Sequence, residues 1–150
     1  MSRAILEANH PRLKRAPYGI TSPVDPGYNC IAYAAGDTKR WWWPFHGLSQ
    51  AYWPAGVPRE LTLAAFIEAF ATVGYAPCAD GGIEPGYEKV AIFTDPQRNP
   101  THAARQVLPS GRWSSKMGPQ EDINHLLYGV EGPPYGGVAQ YLRRPLDRGP

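Results

Sequence analysis

Residues 27–37 read GYNCIAYAAGD. The stretch places one cysteine directly after Asn29 and then runs through Ile31, Ala32, Tyr33, Ala34 and Ala35 to Gly36. Asparagine caps helices, because its side-chain oxygen accepts an otherwise unpaired N–H of the first turn. Glycine ends them, because it enters the left-handed region at no steric cost. The small apolar run between the two predicts a short buried helix starting near Cys30. Two roles are open to that cysteine. It packs as a small hydrophobe, or it is a nucleophile whose thiolate the unpaired N–H groups of the helix start would favour.

The segments on either side set the class. SPVDPG (22–27) turns the chain, and residues 1–26 read as mostly irregular, with a short helix at 3–8. KRWWWPFHGLSQAYWPAGVPRE (39–60) holds four of the five tryptophans and three prolines, so no period survives and the region reads as a loop. Thr62 then caps a stripe of Leu63, Phe66, Ile67, Phe70 and Val73 that Gly74 closes, which predicts a core helix near 62–73.

The period changes near residue 87. YEKVAIFTD (87–95), THAARQVL (101–108), RWSSKM (112–117) and GGVAQYLRR (136–144) predict strands, the second and third joined as a hairpin across PSG. PQEDINHLLYG (119–129), with early acids and a closing glycine, predicts a short helix. Helices first and a mostly antiparallel sheet after them give an α+β class. The domain is expected over 27–145, with 1–26 an N-terminal extension packed on it and 146–150 a polar tail.

The chain has 150 residues, enough for one core, and a net charge of only +2. Its basic residues are scattered, which argues against nucleic acid as a partner. No stretch reads as a signal peptide or a membrane span, so a cytoplasmic location is expected, with no membrane partner. Only Cys30 and Cys78 are present. That is too few for a disulfide framework and lacks zinc spacing, and Cys78, in YAPCADGG, reads as an incidental loop thiol. The four histidines show no i, i+4 pairing, so no metal and no cofactor are expected. His10 and His46 lie in proline-rich loops, and His125 falls on the expected amphipathic helix, where a satisfied core or interface role is the simpler reading.

His102 opens a strand and is placed to serve Cys30 as a proton acceptor. A thiol at a helix start beside a histidine is expected to titrate well below its free value. If Ser110 and Gly111 form the hairpin tip, Leu108 faces Trp113, Gln106 faces Ser115, and His102 falls opposite Pro119. That register puts Ser115 over ~10 Å from His102. It leaves Asp122, with Glu121 second, as the acid able to orient the imidazole, although Asp122 would serve equally as a cap in its own helix. Asn29 is either a cap or part of an oxyanion site with the Cys30 N–H. Of Trp41, Trp42 and Trp43, one or two should lid the core, and the remainder, with Trp42 and Trp43 as candidates, should wall a substrate groove.

The NC-plus-small-residue helix followed by HAARQV and GRW resembles papain-like and transglutaminase-like cysteine enzymes. In those, the nucleophile opens a helix packed on an antiparallel sheet, the histidine starts a strand, and a polar residue on or after the next strand orients it. Transglutaminase-like enzymes carry an Asp three or four residues after the tryptophan of that strand. Lys116 and Met117 stand here instead. YNCIAYAAGDTKRWWWP, YEKVAIF, THAARQ and GRWSSKMG also resemble a set of small bacterial proteins that form an uncharacterised domain family. That family brings no activity with it; the papain-like resemblance implies a cysteine hydrolase or acyltransferase cutting an amide or isopeptide bond in a protein, peptide or small amide substrate, with Cys30 and His102 at its centre and Asp122 the acid that the register leaves to them. The alternative is a papain-like binding module that holds a protein or small ligand with its Trp-rich loop.

Overall fold

The structure is a computed structural model that describes residues 2–45 and 51–146. His46 and residues 147–150 of the expected tail lie outside the described residues. The chain begins with α1 (Ser2–Asn9), a 3-10 turn (Pro11–Lys14) and β1 (Gly19–Ile20). It continues through α2 (Cys30–Ala35), α3 (Leu63–Ala71) and β2 (Ala76–Cys78). The second half holds β3 (Tyr87–Thr94), β4 (Pro100–Gln106), β5 (Trp113–Lys116), β6 (Asp122–His125), α4 (Leu127–Val130) and β7 (Gly137–Pro145). The strands form one antiparallel sheet in the order β1-β6-β5-β4-β3-β7-β2. The α+β class and its mostly antiparallel sheet follow the change of period at residue 87.

Both faces of the sheet are covered, which explains why 90–93 is a continuous apolar run and not an alternating one. Val90, Ile92, Ala103 and Leu142 meet α2 and α3 through Ile31, Ala34, Phe66 and Phe70. Ala91, Phe93, Ala104, Trp113 and Ile123 meet Leu6 of α1, Leu13 of the 3-10 turn and Val130 of α4 on the other face. The helices begin where the sequence marks them. Asn29 accepts from the Ala32 N–H and Thr62 from the Ala65 N–H, and Gly36 ends α2 at φ 95°. Burying Phe66 and Phe70 fully makes α3 a core helix, and truncating either to alanine should cost about 3–5 kcal/mol.

Three expectations are corrected. Residues 119–129 are not one helix: 122–125 form β6, and only 127–130 are helical. Asp122, Ile123, Asn124 and His125 alternate in type, and β5 offers its open edge, pairing Lys116 with Asp122 and Trp113 with His125. Satisfying the backbone of a buried strand outweighs a weak local helix preference. The hairpin register also moves by two residues. Val107 and Arg112 close a wider loop, so Gln106 faces Trp113 and Arg105 faces Ser114. Cys78 lies in β2 and not in a loop, because three residues are too few to show a period.

Candidate active site

Cys30 is the first residue of α2 and is buried against β4 near Ala103. Its thiol does not titrate low. Burial pushes it up to about 11, while the N–H groups of Ala103, Ile31 and Cys30 and the Lys116 charge pull the other way. The rise from 9.0 is worth about 3 kcal/mol. A helix end supplies only ~0.3–1 kcal/mol, so desolvation wins. Lys116 is itself buried, with Nζ donating to the carbonyls of Asp25 and Gly118 and lying 4.7 Å from the Tyr28 ring centroid. Burial lowers its pKa, and the charges of Asp122, Asp25, Cys30 and Glu121 oppose this.

His102 is fully buried on β4 opposite Phe93. Its Nε2 lies 2.9 Å from Ser115 Oγ, which lies 2.7 Å from His125 Nε2, and His125 Nδ1 lies 2.8 Å from the Leu126 carbonyl. The two-residue shift in register is what brings Ser115 there. Nδ1 of His102 has no hydrogen-bond partner. Burial holds the imidazole well below its ordinary value, as it does His125, lowered to about 4.

Alternation along the strands separates neighbours. Ala103 faces the α2 side with Cys30, and Ser114 there meets the Tyr33 hydroxyl at 2.6 Å. His102 and Ser115 start from the opposite face, beside Phe93, Ala104 and Ile123. Tyr135 stands beside His102. Its ring stacks on His102 with centroids 3.9 Å apart, and its phenol is raised first by burial and then by the neighbouring Cys30. Thr101 Oγ1 donates to the Tyr135 carbonyl, and His10 packs 4.6 Å from the Tyr135 ring. A cleft of about 520 Å³ lined by Thr94, Pro133, Pro134 and Gly136 borders the turn that carries Tyr135.

The other candidates are engaged elsewhere. Asp122 accepts from the Tyr28 hydroxyl at 3.0 and 3.2 Å and pairs across the ladder with Lys116, while the ring of His102 is reached by Ser115. The Asn29 amide is the helix cap, and it also accepts from the Trp42 N–H and donates to the Trp42 carbonyl. Trp42 is buried, with Nε1 donating to Asp37, and Trp43 packs edge-on against Phe66. Trp41 lines a separate cleft of about 460 Å³ with Lys39, Arg40 and Tyr52. Sequence reading set Ser115 aside as too far from His102 and passed over Tyr135. For Ser115 the signal was present, since it shares the His102 face by alternation and only the register placed it too far away. For Tyr135, set among glycines and prolines, there was none.

Among the described residues, no group of three or more His, Cys, Asp or Glu side chains could hold a metal ion. Among them, too, no helix is long and apolar enough to cross a membrane. No curated protein and no solved structure matches the chain. A family model does match, over residues 19–143, from β1 to all but the last two residues of β7: the chain belongs to the family of the domain of unknown function DUF7689.

Proposed function

We propose that the protein is a cysteine hydrolase or acyltransferase of papain-like type, acting on an amide or isopeptide bond with Cys30 as nucleophile and His102 as its base. The observation that carries this reading is the state of the His102 ring. Nε2 is anchored on Ser115, and Nδ1 is buried with no partner. A general base needs one nitrogen held and the other open. Cys30 lies at the head of a capped helix, where the backbone N–H groups of Ala103 and Ile31 favour its thiolate. The resting pair is neutral thiol and neutral imidazole. In the reaction the thiol proton passes to His102 Nδ1 and sulfur bonds to the carbonyl carbon. The C–N bond then breaks as the imidazolium returns its proton to the leaving amine. Water releases the acyl group as an acid, or an amine takes it as a new amide. The thiol and Nδ1 share no hydrogen bond in the structure, and β4 alternation starts His102 on the sheet face opposite Cys30, so this chemistry requires the site to rearrange around His102 when substrate binds.

Labelling with a peptidyl vinyl sulfone at pH 7.5 tests this. Cys30 should be modified and Cys78 spared. His102→Gln, checked for folding by circular dichroism, should abolish labelling while Cys30 still alkylates in urea. Labelling that ignores His102→Gln sinks the reading.

A second reading has its own observation. Burial raises the Cys30 thiol, and β4 alternation starts His102 on the other face. Then Cys30 is packing, and the domain binds a protein or small ligand at the Trp-rich loop, where Arg40 lies 3.7 Å over the Tyr52 ring beside Trp41. An unlabelled Cys30 in folded protein favours it.

A further inference from the structure

We infer that His125 and Ser115 are positioning residues that fix His102 in the tautomer bearing its proton on Nε2 and its lone pair on Nδ1. The inference deepens the proposed thiol chemistry and rests on it for its catalytic meaning, while the tautomer itself follows from hydrogen-bond direction alone.

The chain of donors runs one way. The Leu126 carbonyl can only accept, so His125 Nδ1, 2.8 Å away, carries a hydrogen. A neutral His125 then has a bare Nε2. Ser115 Oγ, 2.7 Å from that nitrogen, must donate its single proton to it. The Ser115 oxygen is left with lone pairs towards His102, so His102 Nε2 at 2.9 Å must be the donor. A neutral ring protonated at Nε2 is bare at Nδ1, the nitrogen that has no partner. The opposite tautomer would set two lone pairs against each other across 2.9 Å and bury an unpaired N–H. The order is therefore imposed by one main-chain carbonyl, two strands away from the imidazole it controls. The groups facing this chain are Phe93 and Tyr135 on the His102 ring, with His10 beyond Tyr135 and Arg112 acting on His125 at longer range. None of them competes for the three nitrogens in use.

The test reads the tautomer directly. The full chain is labelled with ¹⁵N-histidine, and long-range ¹H–¹⁵N correlations are recorded at pH 7.5, with His102→Gln and His125→Gln spectra giving the assignments. His102 should show a protonated Nε2 and His125 a protonated Nδ1. A His102 ring protonated at Nδ1, or an even mixture, overturns the inference. His125→Phe frees the Ser115 proton, so His102 should shift towards the Nδ1-protonated form and vinyl sulfone labelling should slow by about tenfold or more. His125→Gln, whose amide oxygen can accept from Ser115, should restore both. A folded His125→Phe with an unchanged His102 tautomer also overturns it. If His125→Phe fails to fold, the wild-type spectrum decides alone. The inference and the thiol reading fail separately: an unlabelled Cys30 with the expected spectrum ends the thiol chemistry and leaves the tautomer, and a labelled Cys30 with the reversed tautomer does the opposite.

Discussion

Tyr135 lies parallel to His102, with ring centroids 3.9 Å apart and planes within 8°. The stack covers one face of the imidazole, and Phe93 meets it edge-on at 5.2 Å. A charge on Cys30 would also oppose one on the Tyr135 phenol. One aromatic side chain thus bears on both halves of the candidate site.

Removing that ring should open the site. Tyr135→Ala is expected to cost about 2 kcal/mol of stability, from the lost aromatic pair and the lost burial. It should also speed alkylation of Cys30 by a small neutral reagent. Tyr135→Phe keeps the stack and should change neither by much. Denaturant melts and peptide-resolved alkylation rates would show whether both move together. A Tyr135→Ala protein that loses stability with no gain in Cys30 reactivity would mean that the ring covers His102 alone.

Acid should unfold the protein through its buried imidazoles. Burial lowers His10 and His125 to about 4 and holds His102 well below its ordinary value. The unfolded chain titrates near 6.5, so above that pH both states are neutral and these groups contribute nothing. Between 6.5 and 4 the unfolded state binds protons that the folded state refuses, so stability falls as pH falls. At pH 5, His10 and His125 should each cost on the order of 2 kcal/mol relative to pH 7.5. His10→Gln should flatten that slope, because His10 Nδ1 has no partner to lose. Unfolding midpoints from pH 7.5 to 5 provide the check, and a slope identical in wild type and His10→Gln would rule His10 out.

The Asn29 side chain joins α2 to the aromatic loop. Its oxygen accepts from Ala32 N at 3.1 Å and Trp42 N at 3.0 Å, and its nitrogen donates to Trp42 O at 2.8 Å. Asn29→Ala should cost about 2–3 kcal/mol, about 1 for the cap and the rest for Trp42 groups left unpaired. Asn29→Asp keeps the cap but turns an acceptor towards the Trp42 carbonyl, so it should recover only part of the loss. Urea midpoints of the two variants separate the contributions.

What could be read from the sequence divides along physical lines. α2 and α3 carry their own caps and apolar stripes, and β3 and β7 are long enough to show strand composition, so local rules place them. β6 is legible only through its partner. Asp122–His125 has helix-compatible residues and becomes a strand because β5 needs its edge paired. The hairpin loop hid the site in the same way. Closing it at Val107 and Arg112 shifts the pairing by two residues, which is enough to move Ser115 from beside Gln106 to within 2.9 Å of His102. The polar chain through His125 then follows. Cys30 was recognisable at its helix start, but the depth of its burial, which sets the thiol at about 11, depends on α3 and the sheet closing over it.

The placement of Tyr135 depends on the glycine beside it. Gly136 has φ +86°, and a Cβ there would come within 2.0 Å of the Thr94 carbonyl oxygen. Gly132 and Gly136 exchange backbone hydrogen bonds across the turn that holds Tyr135, at 2.7 and 2.8 Å. A side chain at 136 therefore meets both forbidden backbone geometry and rigid main chain, and relief requires the turn to move away from Thr94. Gly136→Ala should destabilise the fold by more than ~2 kcal/mol. Because Tyr135 travels with the turn, it should also raise Cys30 alkylation towards the Tyr135→Ala level. Gly137→Ala is the control, since nothing lies within 4 Å of a Cβ at that position. It should be close to neutral in both assays. Equal effects from the two glycine variants would show that the turn does not hold Tyr135 against His102 through Gly136.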